Sequence, residues 1–219
     1  MARIAIDVVL LPSDEMIDYA IEVNRELLKT FDNKIILDRE NCLPHISLAM
    51  GCINEKDIPD IEEILRGIAK KYSFSELRVV DIRAEIIPTG KKVSGFKIEK
   101  TKELQLLHEE VMERLAPYFT YDVTAGMLFS PPEVEEATLF WIKNYPEKSG
   151  FGNFSPHITI GFGEPRPSEG LGETNKVESG PAQRLCRIDA GFAASKLALC
   201  HLGNYCTCRK VLVSTELGS

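Results

Sequence analysis

Residues 3–11, RIAIDVVLL, are dominated by Ile, Val and Leu and read as a strand, which Pro12 ends. Ser13 then stands where a helix N-cap belongs, with Asp14 and Glu15 in the first turn, where acidic groups suit the positive end of the helix dipole. Met16, Ile17, Ala20, Ile21, Leu27, Leu28 and Phe31 recur at three and four, so a helix with one buried stripe follows. The same spacing predicts helices over 57–72 (Ile58, Ile61, Ile64, Leu65, Ile68) and 101–115 (Leu104, Leu107, Val111, Leu115), the latter stopped by Pro117. Ser130-Pro-Pro-Glu133 has capping-box spacing and predicts a fourth helix reaching about Lys143. Strand-like runs fill the gaps at 34–38, 44–53, 77–87, 93–98, 156–162, 185–193 and 196–202, and Gly203-Asn204 predicts a two-residue hairpin turn. Helices and sheet are therefore mixed. Residues 163–183, rich in Gly, Pro, Ser and Glu, read as a long mobile loop, with a solvated loop preferred over a lid.

Composition narrows this picture. A chain of 219 residues, 44% hydrophobic and 27% charged, can bury a core, and its length suits one domain of two lobes, 1–219. Thirty-three acidic against 26 basic residues give a net charge of -7, which disfavours long duplex nucleic acid and leaves a small anion as ligand. The chain has no apolar run of the roughly 18 to 20 residues a membrane span needs, and its N-terminus lacks a signal-cleavage pattern, so the expectation is a cytoplasmic monomer away from membranes. Six cysteines without a C-x-x-C pair predict reduced, buried thiols, and Cys206-Thr-Cys208 alone is a weak candidate for a metal. No metal and no cofactor are expected.

The chemistry lies in an internal echo. Pro44-His45-Ile46-Ser47-Leu48-Ala49-Met50-Gly51 returns half a chain later as Pro156-His157-Ile158-Thr159-Ile160-Gly161-Phe162-Gly163, with like exchanged for like wherever the two differ. Such a repeat implies a duplicated lobe carrying one motif in each copy. In an extended strand, residues two apart share a face, so His45 with Ser47 and His157 with Thr159 point one way while Ile46, Leu48, Ile158 and Ile160 point into the core. Two lobes packed with pseudo-twofold symmetry bring both pairs to one groove. Opening a phosphodiester needs a base for the attacking oxygen, an acid for the departing one, and donors for the non-bridging oxygens. Two histidines and two hydroxyls supply these without a metal, since a reference pKa near 6.5 lets one ring be neutral and the other charged.

The two motifs His45-Ile46-Ser47-Leu48 and His157-Ile158-Thr159-Ile160 resemble the signature of the two-histidine (2H) phosphoesterase superfamily, which includes bacterial 2′-5′ RNA ligases of the LigT type and cyclic nucleotide phosphodiesterases. The opening strand ending Leu10-Leu11-Pro12 before an amphipathic helix also resembles the family start, and residues 163–219 fit the resemblance less well. The resemblance implies an α+β fold of two pseudo-symmetric lobes, antiparallel sheet with flanking helices around a central groove. It also implies His45 and His157 as catalytic residues, Ser47 and Thr159 as phosphate-binding residues, and a small nucleotide or RNA end with a 2′,3′-cyclic phosphate or 2′-5′ linkage as substrate. The alternatives are 2′-5′ RNA ligation in the same site and a nucleotide-binding module that turns nothing over.

Other residues are ambiguous in sequence. Asp7 reads first as a solvent-facing strand residue and second as a group facing the groove that orients a histidine. His108 reads as partly buried packing and His201 as a surface residue beside a turn. Arg184, Arg187, Lys196, Arg209 and Lys210 against Asp189 make a local basic stretch, as do Lys91 and Lys92 at a turn, each read as solvated before phosphate-binding. Tyr145, Phe151, Phe154 and Tyr205 are the aromatic candidates for stacking a base.

Overall fold

The computed structural model describes residues 2–31, 34–86, 90, 92–129, 133–164 and 191–218. Strand β1 (Arg3–Pro12) is buried from Ile4 onward because it is paired on both edges, antiparallel to β2 (Ile46–Asn54) and to β6 (Gly191–Leu202). Its even residues Ile4, Ile6, Val8 and Leu10 enter the main core, while Val9 and Leu11 join Ala198, Cys200 and Cys208 in a smaller cluster. Both faces are thus apolar, which is why the run shows no alternation.

After β1 come α1 (Asp14–Leu28), β2, α2 (Ile58–Ala69) and β3 (Phe74–Ile86), and then β4 (Lys92–Ile98), α3 (Lys102–Leu115), α4 (Glu136–Lys148), β5 (His157–Phe162), β6 and β7 (Cys208–Glu216). The strands form one antiparallel sheet in the order β1-β2-β5-β4-β3-β6-β7, with a further β1–β6 pairing. The two halves of the chain repeat one plan, since β1-α1-β2 corresponds to β4-α3-β5. Each half lends its last strand to the other, because β3 pairs with β4 and β6 pairs with β1. The lobes are therefore β2-β1-β6-β7 and β5-β4-β3, and they meet at two seams, where Ile46 of β2 pairs with Ile158 of β5 and where Phe74, Leu77 and Arg78 of β3 pair with Ala194, Phe192 and Gly191 of β6.

Several expected elements come out differently. Residues 34–38 form no strand, because the backbone of Ile35 and Leu37 bonds the Asn24 side chain of α1 instead of a neighbouring strand. The fourth helix begins at Glu136 and runs through Pro146 to Lys148. Its start is set by Asn204 from the far hairpin, whose Oδ1 accepts the Glu135 N–H at 3.0 Å and the Thr138 hydroxyl at 2.8 Å; residues 130–132 of the expected capping box lie outside the described part. Residues 191–202 make one strand where two runs were expected, with 185–190 outside the described part. The hairpin between β6 and β7 exists, but its connection is 203–207 with a 3₁₀ turn at Asn204–Cys206, because Asn204 and Tyr205 are turned onto α4. Cys200 and Cys208 are disulfide-bonded across this hairpin, correcting the expectation of thiols throughout. Cys42, Cys52 and Cys206 remain free, and no group of three His, Cys, Asp or Glu among the described residues is placed to share a metal ion. No helix among the described residues is long and apolar enough to cross a membrane. Of the expected loop 163–183, only Gly163 and Glu164 are described.

Candidate active site

The two motif strands carry the same irregularity at the same place. Val8 of β1 faces Ala49 but Val9 faces Ser47, so Leu48 is an extra residue in β2; Ser94 of β4 faces Gly161 but Gly95 faces Thr159, so Ile160 is the extra residue in β5. Leu48 and Ile160 hold corresponding positions in the two motifs. A bulge twists its strand and re-aims the neighbouring side chains. Here it lets Ser47 and Met50, three apart, both line the groove, and it closes the gap between Ser47 and Asp7. Ile46, Leu48, Ile158 and Ile160 are fully buried behind. Continuing the register of the Ile46–Ile158 pair by one residue each way sets His45 opposite Thr159 and Ser47 opposite His157. The four side chains share one face, with the histidines on a diagonal.

A bulge leaves a backbone carbonyl without a ladder partner, and each is taken by a fully buried polar side chain from the other half. Asn24 of α1 donates to the Ile160 carbonyl at 2.8 Å, and the ring of His108 on α3 donates from Nδ1 to the Leu48 carbonyl at 2.7 Å. Each also clamps the loop leading to its own motif. Asn24 takes the Ile35 carbonyl and the Leu37 N–H; Nε2 of His108 accepts the Phe151 N–H at 2.7 Å, and its ring stacks on Phe154 at 4.1 Å. His108 is therefore a brace between lobes rather than partly buried packing. Nothing in the sequence pairs Asn24 with His108, because the correspondence exists only through the duplicated plan.

Both motif histidines are held alike. Nδ1 of His45 donates to the Leu43 carbonyl at 2.7 Å, and Nδ1 of His157 to the Ser155 carbonyl at 2.8 Å. A carbonyl only accepts, so Nδ1 carries the proton and Nε2 is the atom free to exchange one. Their surroundings differ. His157 is exposed at the groove, whereas the His45 side chain is only 12% exposed. Burial pushes the His45 ring down to about 4, with the nearby His157 acting in the same direction and the Leu43 carbonyl opposing.

Asp7 breaks the symmetry. In the β1–β2 register it faces Met50, and the corresponding position in the second lobe, facing Phe162, is Val93. Asp7 is fully buried rather than on a solvent face. Its Oδ2 accepts the Ser47 hydroxyl at 2.6 Å and lies 3.7 Å from His45 Nε2, while its Oδ1 has no hydrogen-bond partner among the described residues. Burial raises its pKa well above the carboxylate range, outweighing the bonds to Ser47 and the Ala49 backbone. Burial acts on both groups toward their uncharged forms, upward for the acid and downward for the imidazole.

The groove in front of Ser47, His157 and Thr159 has a volume of about 270 Å³, and His45 is not part of its lining. Trp141, Tyr145 and Lys148 of α4 form one wall, and Phe154 and Tyr205 close it further. Of the aromatic candidates, Phe151 lies outside this lining and packs its ring edge on His108. Trp141 and Lys148 were not singled out in the sequence, since the register of α4 depends on Asn204. Among the basic candidates, Lys196 pairs with Glu216 at 3.3 Å, Lys92 pairs with Glu164 at 2.6 Å, and neither Arg209 nor Lys210 lines the groove. Lys91, Arg184, Arg187 and Asp189 lie outside the described residues. His201 is half-buried and bonds the Met127 carbonyl at 3.0 Å, away from the groove.

No family model and no curated protein matches the sequence. Solved structures match it in shape over 100% of both chains. They include E. coli LigT in apo form (13% identity, TM-score 0.50), the same protein complexed with NADP+ (13%, 0.49) and with 3′-AMP (12%, 0.47). Identity this low speaks for the backbone and not for the chemistry. The paired lobes, the crossed-over third strands and the central groove are those of an α+β chain with the fold of E. coli LigT, the fold to which its two His-x-Ser/Thr motifs pointed.

Proposed function

We propose that the chain, 1–219, works as one bilobal unit, a 2H-type, metal-independent phosphodiesterase that hydrolyses a 2′,3′-cyclic phosphate or 2′-5′ linkage of a nucleotide or RNA end. The observation that carries this reading is the convergence of two histidines with fixed Nδ1–H tautomers and two hydroxyls on one face of the β2–β5 seam. His45, kept neutral by burial, is the general base, and His157, at the exposed edge of the groove, is the general acid. Water loses its proton to His45 Nε2 and bonds phosphorus. The P–O bond to the leaving ribose oxygen breaks, and that oxygen takes a proton from His157 Nε2. Ser47 and Thr159 donate to the non-bridging oxygens. Ligation through a 2′-5′ bond is the same exchange with the 5′-hydroxyl of a second RNA end in place of water: it loses its proton to the base and bonds phosphorus, and the P–O3′ bond of the cyclic phosphate breaks as the 3′-oxygen takes a proton from the acid.

Asp7 acts as a positioning residue. Ser47 gives its hydroxyl proton to Asp7 Oδ2 at 2.6 Å, and protonation of Asp7, the form burial favours, would reverse that bond and free the hydroxyl proton for the phosphoryl group. An ionised Asp7 would claim that proton and turn lone pairs toward an anion. Incubation with a 2′,3′-cyclic mononucleotide in EDTA tests the reading. Release of a monophosphate is expected, with kcat falling by about 10² to 10⁴ in His45→Ala and in His157→Ala. Tight binding without product, or activity lost in EDTA and restored by metal, overturns it.

A further inference from the structure

Next to the groove, and sharing Glu85, Trp141, Ser155 and His157 with it, lies a second cleft of about 130 Å³. Its wall includes Arg83, Glu85, Lys97, Ser155 and the indole of Trp141, together with His157 itself. We infer that this cleft is a subsite for the internucleotide phosphate adjoining the reacting one, which makes the substrate an RNA end of two or more nucleotides rather than a free cyclic mononucleotide. The inference rests on the reading of the reacting site given above.

The sheet register supplies the argument. Lys97 of β4 is the direct partner of His157, and beyond it Asp81 of β3 is the partner of Lys97. One step along, Thr159 is paired with Gly95 and Gly95 with Arg83. Partners directly opposite share a face, so Lys97 and Arg83 stand on the same face as His157 and Thr159, one and two strands further on, at roughly 4.8 Å per strand. Gly95 keeps the way open. A Cβ there would meet the Ile158 carbonyl at 3.1 Å and His157 Cδ2 at 3.6 Å, so any side chain would fill the floor between Arg83 and His157.

The charges of the wall fit one phosphate. Arg83 gives its Nε to Asp81 at 2.9 Å, which orients the guanidinium, while Lys97 forms no ion pair among the described residues. Asp81 and Glu85 balance Arg83 and Lys97, so the wall carries no net charge, and an anion is met by the directed guanidinium donors of Arg83 and the ammonium of Lys97 rather than by an excess of charge, which suits one phosphate and not a polyanion track. The Ser155 hydroxyl is exposed beside them. Trp141 lines both this cleft and the main groove, where a flat ring can stack the base carried between the two phosphates.

Three substrates decide the matter: a 2′,3′-cyclic mononucleotide, a dinucleotide ending in the same cyclic phosphate, and that dinucleotide with a neutral methylphosphonate linkage. For the native chain, kcat/KM for the charged dinucleotide should exceed the other two by about tenfold, the size of one charge-assisted phosphate contact. Arg83→Ala with Lys97→Ala should erase that ratio. A native chain that treats all three alike, or a double variant that loses all three equally, overturns the subsite and leaves the hydrolase reading standing. Calorimetry with the dinucleotide 3′-phosphate and its methylphosphonate form separates the opposite case. Charge-dependent binding that the double variant loses, without turnover of any cyclic phosphate, would keep the subsite and overturn the hydrolase.

Discussion

Asp7 and His45 titrate in opposite senses, and both can be followed. The folded chain holds a proton on Asp7 that the unfolded chain has released above the ordinary carboxyl range, so this residue makes stability fall as pH rises, by up to about 1.4 kcal/mol per pH unit until the raised folded value is passed. Asp7→Asn keeps a donor toward Ser47 and removes the titration. Its melting temperature should therefore gain on the native chain as pH rises from 4 to 8, while kcat stays within a few fold; a loss as large as that of His45→Ala would show that the ionised carboxylate is required. His45 works the other way. Its folded value of about 4 lies below the reference of about 6.5, so its contribution is present above that reference and is lost as pH falls toward 4. The same shift places the acid limb of kcat/KM near pH 4, well below an ordinary histidine, and a limb at 6 to 7 would reassign the base.

At the level of elements, the bulges and their braces hold the two motifs in register. Removing a buried partner leaves a carbonyl unsatisfied at a cost of about 1 to 3 kcal/mol. Asn24→Ala and His108→Ala should each lower stability in urea by that order, His108→Ala by more, because its ring also stacks on Phe154. His108 bonds the Phe151 N–H in the approach to His157, so its variant should lower kcat even where the chain remains folded. Asn204 plays the comparable part for α4, taking the Glu135 N–H and the Thr138 hydroxyl and donating to the Glu133 carbonyl at 3.0 Å. Asn204→Ala should raise KM more than it lowers kcat, since α4 carries Trp141 and Tyr145 of the groove wall and none of the proton-transfer groups.

For the molecule as a whole, net charge and local charge point in different directions. A chain of net charge -7 repels long polyanions, and the cations beside the reacting site are few. Each phosphate neutralised on a single strand contributes roughly 0.7 to the slope of log affinity against log salt, so KM for a short oligonucleotide should follow a slope of about 2 or less. A slope that steepens from a dinucleotide to a twenty-residue RNA would reveal a longer basic path than Arg83 and Lys97 provide.

The motifs, their facing pattern and the helices at 14–28, 58–69 and 102–115 were legible in the sequence, because each is a local periodicity that burial of one face imposes. The halves of the site were legible too, since His45-Ile46-Ser47 and His157-Ile158-Thr159 repeat one another and a strand dictates which side chains point together. Tertiary structure decided what depends on partners far apart in sequence. Residues 34–38 have a strand-like composition, yet Asn24 takes their hydrogen bonds; α4 starts where Asn204 caps it; Asp7 looks like a surface carboxylate until β2 and β6 close over it on both edges. The seam itself is of this kind. A hydrophobic pattern says that a strand is buried on one face but not which strand lies beside it, and only the β2–β5 pairing turns two similar motifs into one unequal site, with a buried carboxyl group behind one histidine and open solvent beside the other.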